Sequence, residues 1–340
     1  MDQSYTRERL KELRALVRDS ERIAILLQDD PDPDAIASGI ALRTLLGRNK
    51  LTTPLFSFSD ITRPENRAMV QLLEIEVDRA SPDLLEDYDK VAMVDVQPPY
   101  FNGRLHRADI VIDHHPGYST GNADFEDVRI RYGATSTILT EYLISAGERI
   151  SERLATALLY GIKSDTLMLS RRVTEDDLQA FTYLYPLANY NLLRRIERPE
   201  LPLSFARILG RAMQRLTVRD ELAVVHLGPV KRDDLIVQMA DFCLQFEGAE
   251  WVAVSGKLGG NLVIAVRNHG AGRSAGDVVR KLFGDIGSAG GHRNMAKAVM
   301  PLSAWRRREG SSADRFIEAR LRELFALEIV PLEEDGDARG

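Results

Sequence analysis

The feature that most limits how this chain can fold is a set of short, unbroken apolar runs, each of which stops at acidic residues. Arg22-Ile23-Ala24-Ile25-Leu26-Leu27 runs into Gln28-Asp29-Asp30-Pro31-Asp32-Pro33-Asp34, Val91-Ala92-Met93-Val94 into Asp95, and Asp109-Ile110-Val111-Ile112 into Asp113-His114-His115. Runs of this length suit strands buried on both faces of a parallel sheet. Between them the pattern is helical: a helix is predicted over 4–18 from Leu10, Leu13 and Val17, another over 35–46 closed by Gly47, and a third over 64–73, with a further strand over 52–58. Strand alternating with helix predicts an α/β fold whose N-terminal part is a mostly parallel sheet flanked by helices. Ligands of such sheets gather outside the carboxyl ends of the strands. Asp32, Asp34, Asp95, Asp113, His114 and His115 would converge there.

Further along, Gly133-Ala134-Thr135-Ser136 predicts a helix start, with Gly147 as its stop. A helix from Ser151 runs into Lys163-Ser164-Asp165-Thr166, and Thr174-Glu175-Asp176-Asp177 reads as a capping box. The pattern loosens around Pro186, Pro199 and Pro202. The expected organisation is a first domain over 1–190, a linker over 191–204, a smaller C-terminal α/β domain over 205–330 and a flexible acidic tail over 331–340. Within the second domain, helices are expected over 205–216, 233–246 and 275–283, and strands over 221–227, 251–254 and 262–266. Gly284-Asp285-Ile286-Gly287-Ser288-Ala289-Gly290-Gly291-His292-Arg293-Asn294 is expected to be an anion-binding loop, with a helix starting after His292.

Composition narrows the function classes. Hydrophobic residues at 44% and charged residues at 28% describe an ordinary globular chain with real cores. The net charge of -6 argues against non-specific coating of long duplex DNA, although a local basic patch could hold a short nucleic acid. One cysteine, Cys243, leaves no disulfide framework and fits a reducing compartment. Residues 1–20 lack the apolar core of a signal peptide. No stretch approaches the roughly 18 apolar residues that span a bilayer, so a cytoplasmic protein without a membrane partner is expected.

Asp32, Asp34, Asp95, His114 and Asp165 form a mixed oxygen and nitrogen donor set suited to Mg²⁺ or Mn²⁺. Pro31-Asp32-Pro33-Asp34-Ala35-Ile36-Ala37-Ser38, Val94-Asp95, Asp113-His114-His115-Pro116 and Gly161-Ile162-Lys163-Ser164-Asp165-Thr166, in that order, resemble the four motifs of the DHH phosphoesterases. Gly290-Gly291-His292 and Arg267 are similar to features of the DHH-associated C-terminal domain, as found in the nanoRNase-like branch. The resemblance implies two metal ions, Mn²⁺ with Mg²⁺ or Co²⁺ as alternatives. Asp32 and Asp95 would hold one, and Asp34, Asp95, His114 and Asp165 the other, with Asp95 bridging. His115 would face the substrate phosphate, as would Arg267, Gly290, Gly291 and His292, with Lys297 as an added contact. The implied activity is hydrolysis of short oligonucleotides or small nucleotides such as adenosine 3′,5′-bisphosphate or linear and cyclic dinucleotides, with His115 and Asp95 at the reaction.

One departure stands out: the histidine that opens the family's first motif is Gln28 here, a poorer ligand for Mn²⁺. The alternative reading is therefore a nucleotide-binding protein with impaired catalysis. Oligomeric state is left open, a homodimer included.

Overall fold

The computed structural model describes residues 3–304 except 106–107, 118–122, 171–172, 201–202, 271 and 292, and in addition residues 317, 319 and 320. The chain forms two units, Met1–Glu200 and Leu201–Gly340. In the first, the elements are α1 Gln3–Leu16, β1 Ile23–Leu26, α2 Pro33–Leu45, β2 Leu55–Ser57, α3 Pro64–Leu72, β3 Val77–Arg79, α4 Pro82–Leu85, β4 Lys90–Val94, β5 Ile110–Asp113, β6 Phe125–Val128, α5 Thr135–Ala146, α6 Glu152–Asp165, α7 Glu175–Leu184 and α8 Tyr190–Glu197. The strands make one sheet in the order β3-β2-β1-β4-β5-β6, every neighbouring pair parallel.

Alternation along each strand sorts its side chains between two cores. Ile23, Ile25, Ala92, Val94, Ile110 and Ile112 pack with α1, α2, α5 and α6, whereas Ala24, Leu26, Met93 and Val111 meet Phe56, Leu85 and Phe101 on the other face. Complete burial of such side chains contributes about 1.5–3 kcal/mol each before conformational entropy is counted. That is why these runs are apolar throughout and not alternating. The predicted linker region carries α8, which buries Leu193 and Ile196 in the first unit's core. Thr174 and Asp177 form the expected capping box at α7.

The second unit contains α9 Leu203–Arg215, β7 Thr217–Arg219, β8 Leu222–Pro229, α10 Asp234–Cys243, β9 Trp251–Leu258, β10 Asn261–Asn268, α11 Ala275–Phe283, β11 Ser288–Gly291 and β12 Met295–Pro301. Its sheet runs β11-β12-β10-β9-β8-β7, with β8 and β9 parallel and the other pairs antiparallel. α9 and α10 cover one face and α11 the other. The helix expected after His292 is absent: residues 295–301 form β12, because Ala296, Ala298 and Met300 alternate into the core beneath α11. Tertiary burial overrides the helix preference of Met, Ala and Lys. Among the described residues, no helix is long and apolar enough to cross a membrane.

Candidate metal centre

The chain leaves β1 towards β2 and β3, then returns to β4 on the other side of β1, so a crevice opens beyond the carboxyl ends of β1 and β4. Asp32 caps α2, its Oδ1 accepting the Ala35 N–H at 2.9 Å. Asp34, in the first turn of that helix, is fully buried, and its oxygens accept the N–H groups of Thr135 at 2.7 Å and Ser136 at 2.8 Å. These are orphan donors of α5's first turn, so a helix N-terminus fixes the carboxylate. The approach of α6 to this point requires glycine at 161: a Cβ there would lie 2.4 Å from Ser136 Oγ and 3.1 Å from Asp34 Oδ1. Asp95 follows β4 with φ 61, a left-handed conformation that aspartate tolerates better than most residues. Its N–H reaches Ile112 O at 3.0 Å, and its Oδ1 accepts the Thr135 hydroxyl at 2.9 Å.

His114 and His115 leave the end of β5 in two directions. Nδ1 of His114 meets the Tyr132 carbonyl at 3.1 Å, while its Nε2 lies 3.1 Å from Asp165 Oδ2 and 3.5 Å from Asp95 Oδ1. Nδ1 of His115 is held by Asp113 Oδ1 at 2.9 Å, and the ring is half exposed. Asp113 is buried and also accepts Gln97 Nε2–H at 2.6 Å, so it serves to orient His115. Ligand atoms of Asp34, His114 and Asp165 lie within 4.8 Å of one another, as do those of Asp95, His114 and His115.

Asp32 belongs to neither triple. Its carboxyl receives a hydrogen bond from the Gln28 side chain and feels the charge of Asp165. Of the carboxylates beside Gln28, Asp29 pairs through Oδ2 with Arg104, and Asp30 accepts the N–H and hydroxyl of Thr62.

The electrostatics are those of a site built for a cation. Burial, followed by the charge of Asp165, pushes Asp34 up to about 7. Asp95 is raised well above the carboxylate range, by burial and then by Asp34, Asp32 and Asp165. Burial disfavours a charged His114, but its close contact with the Asp165 carboxylate and the charges of Asp34 and Asp165 outweigh it and lift the imidazole to about 9. Without a cation, the site holds protons to spare its carboxylates from one another. Asp95 Oδ2 and His114 Nε2 are buried with no hydrogen-bond partner. Although Nε2 is near Asp165, the pair has the closeness of an ion pair and not the direction of a hydrogen bond. Two orphaned lone-pair atoms among carboxylates fit an oxygen-preferring divalent ion that also accepts imidazole.

The second unit's predicted residues sit on its own sheet. Arg267, on β10, pairs with Asp241 of α10 at 2.5 Å, and Lys297, on β12, pairs with Asp233 at 2.5 Å. Gly290 and Gly291 form part of β11, opposite Lys297 and Ala296, and not a free loop. Glycine is needed at 291, where φ is 154 and a Cβ would lie 2.3 Å from Met295 O. His292 lies outside the described residues. Sequence reasoning placed Asp113 at the site but not as the group that orients His115, and it missed Thr135, Ser136 and Tyr132 as groups that hold their neighbours in place. For Thr135 and Ser136 the small-residue turn at 133–136 carried a signal.

Residues 22–162 match the family described as DHH family, N-terminal domain. The chain is 33% identical over 318 residues to the uncharacterized protein MJ1633 of Methanocaldococcus jannaschii, covering 92% of this chain and 65% of that one. It is 30% identical to a probable manganese-dependent inorganic pyrophosphatase of Lactobacillus helveticus over 50% of this chain and 56% of the relative. It is also 26% identical to the cyclic-di-AMP phosphodiesterase GdpP of Geobacillus thermodenitrificans, over 85% of this chain and 46% of the relative. The chain thus spans between 46% and 65% of the length of these relatives. In fold it is similar to an exopolyphosphatase-related protein of Bacteroides fragilis, with a TM-score of 0.71, 14% identity and coverage of 94% of this chain and 97% of that one.

Proposed function

From the match of residues 22–162 to the DHH family, N-terminal domain, we propose that the protein is a metal-dependent phosphoesterase that hydrolyses short oligonucleotides or small nucleotides. One observation carries this reading. Asp34, His114 and Asp165 converge in a buried crevice with Asp95 beside them, and two of their lone-pair atoms lack partners. Asp34, Asp95, His114 and Asp165 would hold one ion, and Asp32 with Asp95 another, with Mn²⁺ favoured and Mg²⁺ or Co²⁺ as alternatives. When bound, such a pair lowers the pKa of water and offsets the charge of a phosphate.

The chain's own groups supply the rest. Asp113 holds Nδ1 of His115 and raises its pKa, which leaves Nε2 as a cationic donor to a phosphate oxygen. In the second unit, Arg267, Gly290, Gly291, His292 and Lys297 are assigned to nucleotide binding. There Arg267 and Lys297 would exchange Asp241 and Asp233 for phosphate. The likeness to a cyclic-dinucleotide phosphodiesterase covers 85% of the chain against 50% for the pyrophosphatase, which favours a nucleotide over pyrophosphate as substrate. The single buried cysteine accords with work in the cytoplasm.

The test is hydrolysis of the dinucleotide pApA, a cyclic dinucleotide, adenosine 3′,5′-bisphosphate and pyrophosphate by the full chain with Mn²⁺. The expected result is cleavage of at least one nucleotide in preference to pyrophosphate, with His114→Ala reducing it by on the order of a thousandfold. Near-wild-type cleavage by His114→Ala sinks the assignment. A second reading, nucleotide binding without turnover, is favoured by one feature: the Gln28 side chain bonds to the Asp32 carboxyl that a first ion would need. It prevails if wild type binds pApA but cleaves nothing with Mn²⁺, Mg²⁺ or Co²⁺.

A further inference from the structure

The imidazole of His114 is held at Nδ1 by the Tyr132 carbonyl, 3.1 Å away. That carbonyl belongs to a peptide group whose other end, the Gly133 N–H, is directed at Asp177: both carboxylate oxygens lie 3.0 Å from it. Asp177 is fully buried and is fixed in turn by the Thr137 hydroxyl and by the N–H and hydroxyl of Thr174, each at 2.7 Å. Residue 133 tolerates this approach only without a side chain, since a Cβ would lie 2.8 Å from Thr166 Cγ2 and 3.0 Å from Asp177 Oδ2. One peptide plane therefore separates a buried carboxylate from the imidazole.

We propose that Asp177 is a positioning residue of the metal centre, acting on His114 through the Tyr132–Gly133 peptide. The inference rests on reading His114 as a metal ligand. A hydrogen bond from an amide N–H to a carboxylate polarises the amide and makes its carbonyl a stronger acceptor. The stronger acceptor keeps the proton on Nδ1 and leaves the Nε2 lone pair for an ion. A carboxylate bonded directly to a ligating histidine does the same with one group fewer between them. Capping of α7 accounts for the bonds between Asp177 and Thr174, but not for the two that Asp177 makes to Gly133, in a different segment.

Co²⁺ titration of the metal-free full chain, followed by visible absorption, separates the two roles. His114→Ala first identifies which part of the absorption depends on that histidine. Asp177→Asn is expected to weaken the His114-dependent phase about 10- to 100-fold. Thr174→Ala breaks the same cap and should lower Tm while leaving Co²⁺ affinity within about twofold. Equal losses of affinity in Asp177→Asn and Thr174→Ala would overturn the inference. Absence of any His114-dependent phase in wild type overturns the metal reading and this inference together, whereas its persistence unchanged in Asp177→Asn overturns this inference alone.

Discussion

On the proposed reading, Gln28 is the residue on which the chemistry of a first-ion position would turn. Its side chain donates to Asp32, which partly offsets the burial and the Asp165 charge that raise that carboxyl. A donor amide stabilises the carboxylate in the absence of metal but brings no imidazole lone pair to a cation. Gln28→His should therefore tighten Mn²⁺ binding about tenfold, or about 1.4 kcal/mol, and raise hydrolysis with it. Isothermal titration of the metal-free protein with Mn²⁺ checks this, and unchanged affinity would mean that position 28 does not reach the ion. The aspartates, the histidines and Gln28 were legible in the sequence because each carries its chemistry in its side chain. The hydrogen bonds that aim them were not: Thr135 N–H, Ser136 N–H and the Tyr132 carbonyl are main-chain groups, identical in every residue type.

How the helices approach one another decides whether those ligands meet. α2, α5 and α6 crowd around Asp34, and Gly161 is where the third of them passes closest. Adding a methyl group there gains about 1 kcal/mol of helix propensity but overpacks the contact at a cost of about 1–3 kcal/mol. Gly161→Ala is expected to lower Tm and weaken Mn²⁺ binding by displacing Ser136 and Asp34. Because the nearest obstacle is the unpartnered hydroxyl of Ser136, adding Ser136→Ala should recover most of the lost Tm. Thermal melts of the single and double variants test it, and no recovery would place the strain elsewhere. The strands of the first sheet that end in ligands were readable as apolar runs. β3, β6 and β11 were not: Val77-Asp78-Arg79 is an exposed edge, Phe125-Glu126-Asp127-Val128 carries charge, and Ser288-Ala289-Gly290-Gly291 gains its strand form from pairing with β12.

Across the whole fold, the site stores a pH dependence. Asp34, raised from 3.8 to about 7, keeps in the folded state a proton that the unfolded chain releases. Its contribution is fully present below the ordinary value and is lost as pH rises through about 7. His114, raised from 6.5 to about 9, works in the same direction: its contribution holds below 6.5 and disappears as pH rises through about 9. Metal-free protein in EDTA should therefore lose Tm steadily between about pH 5 and about pH 9. On the proposed reading Mn²⁺ would replace those protons, so the stabilisation that it confers should grow over the same interval. Scanning calorimetry with and without Mn²⁺ reads both slopes, and a Tm of the EDTA form that rises with pH would contradict the charge arrangement described above.

The sequence by itself determined that a parallel α/β sheet would form and that its strands would end in acidic residues and histidines. Burial of unbroken apolar runs and the side-chain chemistry of metal ligands are both local properties of the chain. The tertiary structure alone decided the order β3-β2-β1-β4-β5-β6, which sets the ends of β1 and β4 side by side. It also decided that Asp34 is gripped by α5, that Asp29 and Asp30 are engaged by Arg104 and Thr62, and that the segment after His292 pairs as a strand. Each of these depends on main-chain groups and side chains distant in sequence competing for the same donors and the same buried space. That competition is settled only when the chain is packed.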